Sequence, residues 1–180
     1  MPLKRAIVLA SWVLFVLACR EEPPEVAIAV AIPEVVRETR EVALFFESPN
    51  LLLVPELRQL EIPGIDYEAA GPVLEELIRG PSNPDAPRLL PEDTEVLAVY
   101  FLPNGFVVVD LGGTTLAEGW NTGSHEELMA VYGVVQTLVE NFESAQRVRI
   151  LVNGQPSQTL AGHIAIDRFL PSNPAVLGNP

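Results

Sequence analysis

The sequence predicts an α+β fold, in which two helices pack on a mixed β-sheet within a single domain. Two segments carry apolar residues at helical spacing, and five apolar segments of strand length are bounded by turn residues. They follow one another as strand, strand, helix, strand, strand, helix and strand, and short extended pieces come last. Strands that come in pairs between helices are typical of α+β folds.

The first two strands are predicted in residues 42–46 and in residues 51–54 with 57–62. The apolar run at 42–46 is closed by Ser48-Pro49-Asn50, which favours a buried strand followed by a turn. Pro55 interrupts the second segment. Because proline has no N–H to donate, this strand is expected at a sheet edge or at a bulge.

The first helix follows Pro63-Gly64, and its buried stripe has the spacing i, i+3, i+4, i+7 and i+8. The residues of this stripe are Ala70, Val73, Leu74, Leu77 and Ile78. Since proline fits best in the first turn of a helix, Pro72 predicts a start near Gly71. Gly80-Pro81 predicts the end, and a proline-rich loop is expected at 82–93.

A β-hairpin is predicted next. Residues 96–102 are apolar on both faces, which favours a central strand or a strand covered on both sides. Asn104-Gly105 is a short-turn signal, and residues 106–111 return as the partner strand. Residues 112–123, which include Trp120, are expected to form a loop.

The second helix is predicted to start at Ser124, because Ser124 and Glu127 match the S-x-x-E pattern of a capping box. Its buried stripe comprises Leu128, Val131, Tyr132, Val135, Leu138, Val139 and Phe142.

The remaining residues predict a last strand and an irregular end. Residues 147–152 form that strand, and Asn153-Gly154 turns it. Residues 159–160 and 164–166 are expected to extend the sheet. The tail at 171–180 is rich in proline and asparagine and is expected to be loose.

Composition excludes several classes of function. The chain has 180 residues, 24 acidic and 11 basic side chains, and a formal charge of −13. This charge repels phosphate backbones, so no nucleic-acid partner is expected. A single cysteine excludes a disulfide framework and a Cys-rich zinc site, and no cofactor or metal is expected.

The N-terminus has the organisation of a bacterial lipoprotein signal. Lys4 and Arg5 precede an uncharged run that ends at Ala18, and the single cysteine, Cys19, follows. Residues 16–19 (VLAC) resemble a lipobox. The resemblance implies attachment of a diacylglyceryl group to the Cys19 thiol, with fatty acids such as palmitate, and cleavage between Ala18 and Cys19. An uncleaved signal anchor and a plain secretory signal remain open alternatives.

Cleavage of residues 1–18 leaves a predicted tether at 19–40 before a domain at 41–170. Residues 26–32 of the tether alternate large and small apolar side chains, so an added edge strand stays open. The mature charge is −13 minus 2, or −15, because Lys4 and Arg5 are removed. Such a surface is not held at an anionic membrane by charge, so the lipid is the expected anchor. By resemblance to lipoproteins of two-membrane bacteria, Arg20 after the cysteine implies the outer membrane where the cell has two.

The globular part resembles the sporulation and spore-germination family whose domain is called GerMN. The segments that carry the resemblance are LLLVPELRQL (51–60), LEELIRGPS (74–82), LPEDTEVLAV (90–99), GFVVVDL (105–111), GSHEELMAVYGVVQTL (123–138), VRILVNG (148–154) and TLAGH (159–163). The resemblance implies an extracytoplasmic, often lipid-anchored domain, similar in fold to ring-building motifs and not generally enzymatic. This chain departs from the family in having one copy and Gly112-Gly113-Thr114-Thr115 after the hairpin.

Four residues are candidates for contact with a partner, and none is predicted to be catalytic. His125 lacks a second histidine four residues later, where Met129 stands, so a zincin site is excluded. Neither a cysteine of the mature domain nor a G-x-S-x-G elbow is present to act with His163. Glu56 and Arg58 lie two apart and share a strand face, which favours an ion pair. Together with Trp120 and His163 they are the candidate contact residues.

The leading hypothesis is therefore a lipid-anchored, non-enzymatic protein that contacts an envelope protein through the sheet edge near residues 51–62. The alternative is a module that binds a small ligand or cell-wall glycan through Trp120 and nearby carboxylates. An envelope hydrolase that uses His163 is a remote alternative.

Overall fold

The computed structural model describes residues 36–178, which hold seven strands, three α-helices and two short 3-10 helices at Pro103–Gly105 and Pro174–Val176. The signal sequence, Cys19 and the possible strand at 26–32 lie outside the described residues. The elements are β1 (Arg37–Glu47), β2 (Leu53–Pro63), α1 (Asp66–Arg79), β3 (Glu95–Leu102), β4 (Phe106–Gly112), α2 (Thr114–Glu118), α3 (Ser124–Asn141), β5 (Arg147–Val152), β6 (Gln155–Pro156) and β7 (Leu170–Pro171).

The described strands form two sheets, and the predicted α+β class is confirmed. β1 and β2 make an antiparallel hairpin of their own. The second sheet has the order β3-β4-β5-β6, with β7 beside β5. It is mixed, because β4 and β5 run parallel while its other pairs are antiparallel. The parallel pair needs a long crossover, and the chain supplies it through α2 and α3.

The core lies between the two long helices and one face of the second sheet. Alternate residues of β4 and β5 point into it and are fully buried: Val107, Val109, Leu111, Val148 and Ile150. α1 contributes Val73, Leu74 and Leu77, and α3 contributes Val131, Val134 and Leu138. Burial of each such side chain stabilises the fold by about 1.5–3 kcal/mol. The helical stripes read from the sequence therefore define the core side of both helices.

Side chains of α3 occupy the outer edge of β1. The Asn141 amide accepts from the Ala43 N–H at 2.9 Å and donates to the Ala43 carbonyl at 2.8 Å. The Phe45 N–H donates to Thr137 Oγ1 at 3.2 Å. These bonds occupy backbone groups that Ala43 and Phe45 turn away from β2, so α3 covers this part of the β1 edge.

Two N-terminal boundaries differ from the prediction. β1 begins at Arg37, inside the predicted tether, because its first residues pair with the end of β2 and Arg40 bonds Glu38 at 2.9 Å. α1 begins at Asp66 rather than near Gly71, with Pro72 inside it. Pro72 cannot donate one helical hydrogen bond, and Ala69 and Ala70 of the added first turns are completely buried.

The prediction that residues 96–102 form a central or doubly covered strand is wrong. β3 pairs only with β4 and is an edge strand among the described residues. Its side chains also differ between faces. Phe101 packs edge-to-face on the buried Phe142, whereas Tyr100 is 54% and Leu102 43% exposed. The apolar residues on both faces reflect one packed face and one open face.

The predicted loop at 112–123 contains a short helix, α2. The Asp93 carboxylate accepts from the Thr115 N–H at 2.8 Å, and Leu116 is buried, so a distant acid holds the first turn. The residues next to Thr115 in the sequence do not reveal its contact with Asp93, so this helix was not predicted.

The two C-terminal predictions are also corrected. Residues 159–160 and 164–166 join no sheet. The tail is packed through residue 178 rather than loose: Val176 is buried, and the Gly178 N–H donates to the Leu53 carbonyl at 2.8 Å. No helix among residues 36–178 is long and apolar enough to cross a membrane.

Candidate functional site

A buried carboxylate holds the loop that carries His163. Glu127 lies in the first turn of α3 and is fully buried. Its Oε1 accepts from the backbone N–H groups of Leu160 and Ala161, at 2.8 and 2.7 Å. Its Oε2 accepts from the His163 N–H at 2.7 Å and lies 3.1 Å from His163 Nδ1. These donors replace the strand pairing predicted for this segment.

The predicted capping box is therefore wrong. The residue that caps α3 is Gly123, no side chain caps the helix there, and Ser124 is the first helical residue. Glu127 turns toward the distant loop instead of its own helix terminus. The sequence holds one signal of this role, because Glu127 is four residues before Val131 and so lies on the buried stripe.

Opposing effects set the protonation of Glu127. Burial alone would raise the pKa of its carboxyl. Backbone hydrogen bonds from Ala161, His163 and Leu160 outweigh burial and hold the pKa below its ordinary value of 4.5. The group is therefore an anion at neutral pH, and its oxygens serve as fixed acceptors for the loop.

The His163 ring is anchored on one side and open on the other. Its Nδ1 faces Glu127, and its side chain is 42% exposed. Gly162 has a φ of 99°, a conformation that favours glycine and turns the chain just before the histidine. This arrangement leaves part of the ring accessible at the surface. The contact between Glu127 and His163 was not predicted from the sequence, in which the two residues are far apart.

Glu56 and Arg58 form the predicted ion pair, within a larger network. Arg58 Nη2 lies 2.6 Å from Glu56 Oε1, and Arg58 Nη1 lies 2.7 Å from Glu76 Oε1. Arg58 also donates to the Gly80 carbonyl at 2.8 Å, and its guanidinium lies 5.4 Å from the centre of the Phe46 ring. The network fastens β2 to the C-terminal end of α1.

Some of the same contacts also set the pKa of the Glu56 carboxyl. Burial would raise its pKa, but hydrogen bonds from the Ser82 hydroxyl and from Arg58 outweigh that effect and lower it. Because the polar atoms of Glu56 and Arg58 bond to groups of the same chain, few of them are available to bind a partner protein. The structure favours a structural role for both.

Among residues 36–178, no strand pairs with the outer edge of β2 from residue 57 to residue 61. Ala43 and Phe45 turn their N–H groups away from β2, so their register partners Leu57 and Pro55 also face outward. By alternation, the backbones of Gln59 and Glu61 face the same way. Pro55 thus occupies an outward position where no donor is needed, which confirms the edge predicted from its presence.

The chain's own tail makes a single bridge to the start of this edge. The Leu53 carbonyl, also outward, receives the Gly178 N–H, and Leu53 makes a parallel bridge with Leu177. Pro55 ends this pairing and leaves the segment from 57 to 61 open. Leu57 is 62% exposed beside it.

Trp120 and His125 do not line a site with the other candidates. Trp120 is half-buried and packs against the core. His125 Nε2 lies 2.8 Å from Glu47 Oε1, which ties α3 to β1. A surface cavity of about 530 Å³ is lined by Asp93, Glu95 and Glu118, but Trp120 is not among its lining residues. Among the described residues no group of three metal-ligand side chains converges.

Comparison with known proteins identifies related sequences and folds. A family model described as sporulation and spore germination (Germane) matches residues 43–158. A crystal structure of a candidate lipoprotein from Clostridium perfringens is 19% identical with a TM-score of 0.53, over 75% of this chain and 87% of that one. No curated protein sequence matches the chain.

Two structures of the sporulation protein GerM from Bacillus subtilis share the fold. Its first GerMN domain is 24% identical with a TM-score of 0.53, over 74% of this chain and 97% of that one. Its tandem GerMN domains are 16% identical with a TM-score of 0.56, over 80% of this chain and 48% of that one. The chain thus spans about half the length of the tandem structure.

Proposed function

The chain belongs to the sporulation and spore germination family of GerMN-domain proteins, and we propose that it is a lipid-anchored, extracytoplasmic protein without enzymatic activity. It acts by contact with another protein of the cell envelope. The free edge of β2 between residues 57 and 61 carries this proposal, since an unpaired edge offers backbone donors and acceptors to an added strand.

The surroundings of the edge support strand addition. On the opposite edge of the hairpin, Asn141 and Thr137 of α3 occupy backbone groups of Ala43 and Phe45, so a strand that pairs along β1 is obstructed there. The tail already pairs at Leu53, at the start of the same edge. Side chains of Leu57, Gln59 and Glu61 are exposed next to this edge, and the Glu61 carbonyl accepts from Arg37 Nη1 at 3.3 Å.

Absence of enzymatic activity is supported by how Glu127 is used. The oxygens of Glu127 receive backbone donors of its own chain, so this carboxylate is not available to take a proton from a substrate. The glycan alternative has no comparable support, because Trp120 packs against the core and away from the acidic cavity.

Gln59→Pro is expected to reduce partner recovery about tenfold or more, because it removes one outward N–H and places a ring against the added strand. Gln59→Ala is the matched control, since it keeps the N–H and alters only an exposed side chain that donates to Glu41. The measurement is crosslinking in cells, purification in detergent and quantitative mass spectrometry of recovered envelope proteins.

Pro55 shows that β2 tolerates proline at an outward position, so Gln59→Pro is expected to fold; thermal unfolding checks this. Equal recovery with both variants would refute strand addition at this edge. If the wild-type chain recovers no more envelope protein than a Cys19→Ser chain does, the proposed contact with an envelope protein is refuted.

Cys19→Ser is expected to move the protein out of the membrane fraction, because the serine hydroxyl does not accept the diacylglyceryl group. Two or more acyl chains hold a protein firmly, at about 0.8 kcal/mol for each buried CH₂ group. The measurement is detergent-phase partitioning of wild type and variant, with mass spectrometry of the mature amino terminus. A wild-type terminus at Cys19 without lipid would contradict the anchor.

A further inference from the structure

The second sheet has an open face opposite the helices. Along β4 and β5 the residues that face the core are completely buried, whereas Phe106, Val108, Arg147 and Arg149 between them are not. Asp110, the next residue on the same face of β4, is buried and accepts from the Gly154 N–H at 2.8 Å. β3 continues the pattern with the exposed Tyr100 and Leu102. We call this surface the open face; it consists of Tyr100, Leu102, Phe106, Val108, Arg147 and Arg149. Among the described residues, no helix packs over it.

Strand register arranges these side chains in two parallel rows. Tyr100, Val108 and Arg149 form one row across β3, β4 and β5. Leu102, Phe106 and Arg147 form the next. Phe169 packs on Phe106 with 4.6 Å between ring centres and borders this row. Each row is apolar at β3 and β4 and cationic at β5, so the open face has an apolar half and a basic half.

The two arginines of the open face have no carboxylate partner among the described residues, a property that they share with Arg37 and Arg168. Arg40, Arg58, Arg79 and Arg88 each lie beside a carboxylate. Arg147 and Arg149 have no carboxylate within 4.0 Å among the described residues, although the chain has 24 acidic side chains. The Nε of Arg149 is moreover buried without a hydrogen-bond partner. The accessible parts of these guanidinium groups can pair with carboxylates from outside, and such charge-assisted hydrogen bonds are stronger than neutral ones.

From these observations we propose that the open face receives an amphipathic α-helix of a partner protein, with carboxylates for Arg147 and Arg149. The proposal rests on the proposed function, contact with an envelope protein, and adds a second surface to it. A sheet normally buries each apolar face under another layer, and a helix is the usual cover. The apolar stripe of the helix would lie on Tyr100, Leu102 and their row neighbours.

The spacing of the arginines fits a helix. Residues two apart on a strand are about 6.6 Å apart, and helix residues at i and i+4 are about 6 Å apart along the axis. The apolar positions of β4 and β3 lie about 5 and 10 Å to the side, within the width of a helix. An anionic membrane fits less well, because a chain of charge −13 is repelled by a continuous negative surface.

The test uses the full-length protein in neutral detergent and two fluorescent 18-residue helical peptides. Both peptides have the same leucine stripe; one carries glutamates at i and i+4 beside it, and the other carries glutamines there. Fluorescence anisotropy is expected to show about tenfold tighter binding of the glutamate peptide, from two charge-assisted hydrogen-bonded pairs. Arg147→Gln and Arg149→Gln are each expected to weaken that peptide about three- to tenfold and to leave the glutamine peptide unchanged.

Matched variants separate this surface from the rest of the protein. Arg88→Gln is the control, because Arg88 lies off the open face and pairs loosely with Glu92. Tyr100→Glu changes an exposed residue, so this variant is expected to fold. It is also expected to repel the glutamate peptide, which keeps the proposal testable if an arginine variant does not fold. Gln59→Pro is expected to bind the peptide normally, so a failure at the β2 edge does not imply a failure here.

Three outcomes would overturn the proposal: equal binding of the two peptides, binding of neither, or equal effects of Arg149→Gln and Arg88→Gln. Vesicles of anionic lipid that bind in an Arg149-dependent manner, with no binding of the glutamate peptide, would also overturn it and would assign the open face to lipid.

Discussion

Glu127→Gln is expected to destabilise the fold by about 3 kcal/mol, which corresponds to a fall of roughly 10 °C in the thermal midpoint. The amide that replaces one oxygen is a donor, and it would face backbone N–H groups that also donate. Because Glu127 is fully buried, water cannot take the place of the lost acceptor. The measurement is thermal and urea unfolding at neutral pH.

Two neighbours on the same turn serve as controls for this prediction. Glu126 is exposed, so Glu126→Gln is expected to change stability by at most about 0.5 kcal/mol. Ser124 caps no backbone group in the structure, so Ser124→Ala is expected to be near neutral, whereas removal of a capping-box serine costs about 1 kcal/mol. A large loss of stability from Ser124→Ala, together with a small loss from Glu127→Gln, would contradict this prediction and support a capping box instead.

The difference in unfolding free energy between wild type and Glu127→Gln is expected to depend on pH. Since the pKa of Glu127 is lower in the folded chain than its ordinary value of 4.5, its stabilisation is present above that value and is lost as the pH falls through the folded pKa. The gap in unfolding free energy between wild type and Glu127→Gln is therefore expected to be widest near neutral pH and to narrow below about pH 4. A gap that widens on acidification would contradict this assignment.

Arg58→Ala is expected to cost about 2–3 kcal/mol, or roughly 6–9 °C in the thermal midpoint. The change leaves the half-buried carboxylate of Glu76 without Arg58, removes a donor to the Gly80 carbonyl, and uncovers part of Phe46. Arg58→Lys is expected to lose about 1–2 kcal/mol, because an ammonium cannot reach Glu56, Glu76 and Gly80 with one planar group.

Arg88→Ala provides the contrast for the Arg58 variants. Arg88 lies 3.8 Å from Glu92, and both side chains are largely exposed, so the loss is expected to stay below about 0.5 kcal/mol. Calorimetry or urea titration of the three variants measures the difference. A similar loss at Arg58 and Arg88 would show that the network around Arg58 contributes no more than a surface ion pair.

Elements with local signals were predictable from the sequence. Asn104-Gly105 predicted the hairpin between β3 and β4, and the residues of this turn have the positive φ angles that such a turn requires. Gly80 ends α1 as expected, and Pro55 correctly predicted an edge strand. In each case one or two residues determine the backbone geometry without help from distant parts of the chain.

Features that depend on distant partners were not predictable in the same way. The role of Glu127 depends on donors at 160–163, and its S-x-x-E spacing favoured a local interpretation. Apolar residues on both faces of β3 predicted coverage on both sides, which the described chain supplies on one side only. The tail is ordered because Val176 and Gly178 reach the β2 end, and its composition does not reveal that contact.

The contacts of α3 with β1 have a consequence for self-association. A hairpin with two accessible margins can polymerise, since each added strand exposes a fresh edge and the other side stays available. Here Asn141 and Thr137 occupy the outer backbone groups of Ala43 and Phe45, so continuous strand pairing along the β1 margin is interrupted there. Stacking of hairpins into open-ended β-fibres through both margins is therefore disfavoured.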